Sequence, residues 1–142
     1  MKTTSKLGFA LIANDVDTHS PLLYRITVQA TTRARPTTIY VGQTRAGCGR
    51  PFQRYDLNLR RLLAEKPPLN GSAYRPVHYD LHAAYRAGHL ISVELVRNVD
   101  LSRERITVAE RELQRQFGVA PDGKIELRML DDHGAPIKGG DN

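Results

Sequence analysis

Apolar and polar positions change period several times along the chain, and each change marks an element. Leu22 to Val28 is a β-branched and aromatic run set up by the turn signal His19-Ser20-Pro21. Thr37 to Gln43 is a second such run, with Ile39-Tyr40-Val41 breaking at Gly42. The polar stretch Gln29 to Pro36, with Arg33 and Arg35, separates them, so the pair predicts an antiparallel hairpin. Arg45-Ala46-Gly47-Cys48-Gly49 reads as a flexible connector. From Pro51 the period lengthens to that of a helix. Phe52, Tyr55, Leu59, Leu62 and Leu63 share one face, and Arg54, Asn58 and Arg61 the opposite one. Pro51 suits a first helical turn, where its missing N–H would be unpaired anyway, and Pro67-Pro68 stop the helix near Lys66.

A second helix is expected over about Arg75 to Ala87, packing through Tyr74, Val77, Leu81, Ala84 and Tyr85 and ending at Gly88. Leu90 to Val96 alternates in part and reads as a third strand. Ser102 is placed to cap a third helix that runs to Phe117 and closes at Gly118. Lys124 to Leu130 is a candidate C-terminal strand, residues 131–142 read as a flexible tail, and residues 1–19 as an arm or surface strand. The order β-β-α-α-β-α, with a possible last strand, predicts one α+β domain over 1–142: a small, mainly antiparallel sheet flanked by helices, with its core at about 20–118.

Composition narrows the class. A chain of 142 residues with 40% hydrophobic and 25% charged positions suits a soluble globular protein with one core. The net charge is +6 and the pI about 9.8, with much of the excess carried by arginine. The planar guanidinium fork matches phosphate, so the expected partner is a polyanion, nucleic acid first. Cys48 is the only cysteine, which rules out an intramolecular disulfide and a cysteine-built zinc site. That favours a reducing compartment, and a cytoplasmic location is expected. Lys2 and Lys6 precede the apolar run Leu7 to Ala13, but no A-x-A site follows, and a surface strand is expected rather than a leader. No run approaches the roughly 20 apolar residues of a membrane span, so no membrane partner is expected.

Several residues could carry chemistry. Tyr24 and Tyr40 can share one face of the hairpin, where phenols could donate to a phosphate, position a water or, if cations lowered a pKa, act as a base. Arg50 and Arg54 flank the start of the first helix, and a fixed guanidinium stabilises charge building on a phosphoryl group. On the third helix Leu113 and Phe117 fall within ~20° of Ile106, and Glu110 at ~40°. Glu110 therefore lies in the apolar stripe, while Glu112 points away. A carboxylate there needs a partner, either an arginine or a hard divalent cation. His78 and His82 stand four apart, but Tyr79 takes the place of the glutamate that a zinc-protease motif requires, so they read as a structural or surface pair.

Leu-Leu-Tyr24, then Tyr40-Val-Gly42, then Arg54-Tyr55, then Glu110 is an order that resembles the GIY-YIG endonuclease family, over roughly residues 20–118. The resemblance implies a metal-dependent endonuclease acting on DNA, most simply double-stranded. Tyr24 and Tyr40 would lie at the attacking water, with Gly42 completing the second motif. Arg54 is the favoured phosphate-stabilising arginine and Arg50 the alternative. Asn58 stands where the family often has a histidine, and Glu110 would bind one Mg²⁺ or Mn²⁺. Arg50, Arg54 and Arg61 would meet the nucleic-acid backbone. The first motif lacks its glycine, and residues 118–130 lack the asparagine that often follows the glutamate helix, with Glu126 in that space. Two alternatives remain: a catalytically silent nucleic-acid-binding module of the same fold, or a basic protein-interaction domain. Family members often carry a separate DNA-binding domain, for which this length leaves no room, so specificity would be low or would come from a homodimer or a separate partner.

Overall fold

The structure is a computed structural model that describes residues 3–71 and 73–121, without the side chains of Thr3 and Arg50. The candidate strand at 124–130, Glu126 and the tail at 131–142 lie outside the described residues.

The hairpin forms where the alternation places it. Strand β3 (Leu22–Gln29) pairs antiparallel with β4 (Thr37–Thr44), setting Tyr24 opposite Gly42 and Ile26 opposite Tyr40. On its other side β3 pairs antiparallel with β5 (Leu90–Asn98), which runs past the expected end at Val96. The β3–β5 ladder shifts register between Leu23 and Tyr24, and the β3–β4 ladder between Ile26 and Thr27. Such irregularities re-aim side chains.

The N-terminal residues belong to the sheet. They form β1 (Thr3–Thr4) and β2 (Ala10–Ile12), and β2 pairs parallel with β5. The order is β1-β2-β5-β3-β4, and three of its four pairings are antiparallel, so among the described residues the sheet is mainly antiparallel as expected but mixed, with β2–β5 parallel. Without β2, the outer edge of β5 would leave a row of backbone donors and acceptors unpaired. The arm is also tied down by Asp56, 2% exposed, which takes the Leu7 N–H at 2.8 Å and Arg60 Nε at 2.6 Å.

Helices α1 (Gly49–Leu63) and α2 (Pro76–Arg86) cover one face of the sheet and α3 (Ile106–Phe117) the other. Strand parity shows this division. Tyr24 meets Tyr55 of α1, whereas the next residue, Arg25, lies over the Phe117 ring of α3 at 4.7 Å. Leu22, Ile26, Ile39, Leu59, Leu81 and Leu95 are fully buried between the layers.

Four local expectations need correction. The connector after β4 is pinned, not flexible: Thr44 Oγ1 donates to the Gly47 carbonyl at 2.8 Å and the Cys48 N–H to the Thr18 carbonyl at 3.0 Å. Helix α1 ends at Leu63 rather than Lys66, because Glu65 turns left-handed (φ 59°) ahead of the prolines. Ser102 does not cap α3; its hydroxyl donates to Asp100 Oδ1 at 2.7 Å, and Arg105 holds the cap position. Tyr74 lies before α2, donating to the Lys66 carbonyl at 2.7 Å, and Tyr85 is exposed.

Candidate active site

Three tyrosines converge where α1 crosses the hairpin. Tyr24 and Tyr40 lie on the same face, with ring centres 6.2 Å apart and Gly42 leaving room for both. Tyr55 arrives from α1 with its ring 6.1 Å from Tyr24 and 5.9 Å from Tyr40. The Tyr24 and Tyr55 hydroxyls share a hydrogen bond of 2.9 Å. Burial, then the neighbouring phenols Tyr55 and Tyr40, pushes the Tyr24 pKa well above its ordinary value. Burial, then Tyr40, raises that of Tyr55. Both stay protonated at neutral pH, so Tyr24 is a hydrogen-bond donor and not the base that a lowered pKa would have made it. Tyr40 differs in its partner: its hydroxyl oxygen accepts from Arg75 Nη2 at 2.7 Å, and the guanidinium carbon lies 5.1 Å from its ring centre.

Beside the tyrosines opens a cavity of about 470 Å³. Arg54, Asn58, Tyr24 and Tyr55 line it, joined by Arg45, Arg75 and His78. Among the described residues no aspartate or glutamate lines its wall, so the cavity presents three arginines without an acid beside them. Asn58 Oδ1 accepts the Leu69 N–H at 3.0 Å and so anchors the loop that follows α1. Arg61 is outside the wall and donates from Nε to the Pro67 carbonyl at 2.7 Å. The backbone of Arg50 lies in the first turn of α1, and its side chain is outside the described residues.

His78 is not a surface residue. It is 7% exposed, its ring centre 6.0 Å from that of Tyr55 and 5.6 Å from that of Tyr74. Nδ1 accepts the Arg75 backbone N–H at 3.1 Å, closing the first turn of α2. Burial, then the Arg75 charge, lowers its pKa from 6.5 to about 4. The imidazole is therefore neutral at pH 7, with its proton on Nε2 because Nδ1 is an acceptor. As the pH falls, the unfolded chain takes up this proton before the folded one. The stability contributed by His78 is complete above about 6.5 and is lost progressively toward about 4. His78→Gln is expected to flatten that stretch of the thermal midpoint against pH. Equal slopes in the two proteins would refute the assignment, since every other titrating group cancels in the comparison.

Glu110 is half-buried on α3 and hydrogen-bonded to the side chain of Gln43, the neighbour of Gly42. Burial raises its pKa, opposed by the Gln43 bond and by the charges of Arg75 and Arg111. Because β4 is the edge strand, Glu110 on the α3 side and Arg75 on the α2 side meet electrostatically around it. The buried Gln114 fixes α3 here, donating from Nε2 to the Val41 carbonyl at 3.3 Å. Among the described residues Glu110 makes no ion pair within 4.0 Å, and no three His, Cys, Asp or Glu side chains gather as a metal cluster. A single half-buried carboxylate without a cationic partner fits Mg²⁺ or Mn²⁺ of the kind that keeps several waters and takes its remaining oxygens from a phosphate.

Sequence patterning picked out Tyr24, Tyr40, Gly42, Arg54, Asn58 and Glu110; the fold brings Tyr24, Arg54 and Asn58 to one cavity, sets Tyr40 and Gly42 against Tyr24 behind it, and leaves Glu110 at the strand edge. It gave Tyr55 a place in the apolar stripe and the motif order but no site role, left His78 as structural or surface, and gave Arg75 no site role. Tyr55 carried a usable signal, since a phenol inside an apolar helical stripe needs a polar partner. Comparison with protein-family models, with curated proteins and with solved structures finds no match.

Proposed function

We propose that the chain is a metal-dependent endonuclease of the GIY-YIG type that hydrolyses phosphodiester bonds in double-stranded DNA. One observation carries this reading: of the tyrosine pair across Gly42, Tyr24 lines an arginine-bearing cavity and Tyr40 is bonded to Arg75 of its wall, while the carboxylate-bearing helix closes on the same strand from the other side. The resemblance in motif order and the charge of +6 support it.

Tyr24, protonated and fixed by Tyr55, would donate a hydrogen bond that orients the attacking water or a phosphate oxygen. Tyr40, its oxygen held by Arg75, would lie on the same side of the scissile group. Arg54 and its neighbours would neutralise the phosphate as it enters. Glu110 would hold one Mg²⁺ or Mn²⁺, which when bound supplies charge neutralisation at the leaving oxygen. Attack of water oxygen on phosphorus forms one P–O bond and breaks another. The water loses a proton and the leaving oxygen gains one, so one water is consumed per cut. Specificity would come from a second copy or from a separate partner.

The test is supercoiled plasmid at low salt with Mg²⁺, Mn²⁺ or chelator. Nicking or linearisation that depends on the metal is expected. Retained gel-shift binding with no cleavage in any metal would leave only a binding module of this fold.

A further inference from the structure

The arginine that the motif order favours, Arg54, is not the one the tyrosines engage. Of the three cavity arginines, Arg75 is the one that bonds to the tyrosine cluster among the described residues, giving one Nη2 hydrogen to Tyr40 at 2.7 Å. It is also the cavity arginine whose charge acts on Glu110 around the β4 edge. Its position is fixed twice, by the Tyr40 contact and by its backbone N–H, which His78 Nδ1 accepts. The residue is exposed, no carboxylate among the described residues pairs with it, and a guanidinium has five N–H donors in a planar fork. Tyr40 uses one. The others belong to a group at the cavity wall that is accessible, pre-oriented and short of an anion.

From this placement we propose that Arg75 is the guanidinium that receives the scissile phosphoryl group, with Arg54 and Arg45 serving to draw the strand in. The proposal rests on the nuclease reading for its reaction but not for its ligand, a phosphodiester anion. A fork anchored on one nitrogen presents its remaining donors in one plane, the arrangement that grips two phosphoryl oxygens at once. Lysine in its place would keep the charge and lose both the fork and the hold on Tyr40. Arg54 has no such anchor among the described residues. Its effect should be felt in binding more than in the reaction step.

The roles separate in kinetics and in a direct binding measurement. With plasmid and Mg²⁺, Arg75→Ala is expected to lower kcat by about 100-fold, the usual cost of one donor to a developing oxyanion, with KM little changed. Arg75→Lys should recover only a small part of that loss. Arg54→Ala should raise KM and leave kcat nearly intact. Arg54→Ala should leave the thermal midpoint at the wild-type value, whereas Arg75→Ala should lower it modestly, since it takes one hydrogen-bond partner from the buried Tyr40, and far too little to account for a roughly 100-fold loss in kcat of the folded protein. In parallel, a short DNA duplex is titrated in chelator into protein carrying ¹⁵N-arginine, following the Nε–H signals. The signal that vanishes in Arg75→Lys should move. If the protein cleaves while that signal stays still, or while Arg75→Ala keeps full kcat, the assignment of Arg75 is wrong and the nuclease reading stands. If the signal moves but no metal supports cleavage, Arg75 binds the phosphodiester and the nuclease reading falls.

Discussion

Glu110→Ala is expected to lower plasmid cleavage by about 1,000-fold or more, and to do so without weakening the fold. A bound divalent cation supplies several kcal/mol of charge stabilisation at the reacting phosphate, and each 1.36 kcal/mol is tenfold in rate. On the proposed reading, Glu110 at the β4 edge would hold that ion. Stability should not suffer, because burial disfavours the charged form of Glu110 in the folded state, and alanine removes that penalty together with a single hydrogen bond to Gln43. Duplex affinity in chelator should hold or rise, since the substitution deletes a negative charge beside a polyanion's path. Glu110→Gln keeps the shape and the possibility of the Gln43 bond, and should be as inactive as alanine. Wild-type cleavage in either variant, with purity controlled by a second preparation, would remove Glu110 from the chemistry. A drop in thermal midpoint matching the loss of cleavage would make it a structural residue instead.

The parts of the fold that were legible in the sequence are those set by local pattern. The β3–β4 hairpin followed from alternation and its polar loop, and α1 and α2 from apolar stripes bounded by proline and glycine. The parallel pairing of β2 with β5 was not legible, because it joins Ala10 to Ser92 across most of the chain and leaves no periodic trace in a three-residue strand. The candidate site divides in the same way. Tyr24, Tyr40 and Gly42 are neighbours through strand register, which alternation encodes. Arg75 meets Tyr40 only because α2 folds back over the hairpin, and its sequence surroundings, next to a helix-starting proline, look like an ordinary cap. The burial of Asp56 is likewise long-range, since it depends on the N-terminal arm that brings the Leu7 N–H to it.

Gly42→Ala is expected to cost about 2 kcal/mol of stability and at least about 100-fold in cleavage, with duplex affinity nearly unchanged. Gly42 is not left-handed, so its role is space rather than backbone freedom. A Cβ there would lie 2.6 Å from Cζ and from Oη of Tyr24 and 2.7 Å from Cε2 of Tyr40. Ring tips can often swing aside, but these cannot do so freely. Tyr24 is buried and bonded to Tyr55, and Tyr40 is buried and bonded to Arg75. One methyl group therefore pushes both phenols off their partners at once, while the arginines along the cavity stay where they are. Urea unfolding of a double-mutant cycle isolates the cause. In a Tyr24→Ala background the added methyl loses two of its three closest clashes and meets only the Tyr40 ring, so Gly42→Ala should cost at least about 1 kcal/mol less than in the wild type. Additive costs would show that Gly42 is not there to make room for Tyr24, and the tyrosine pair would lose its claim to a geometry set by this glycine.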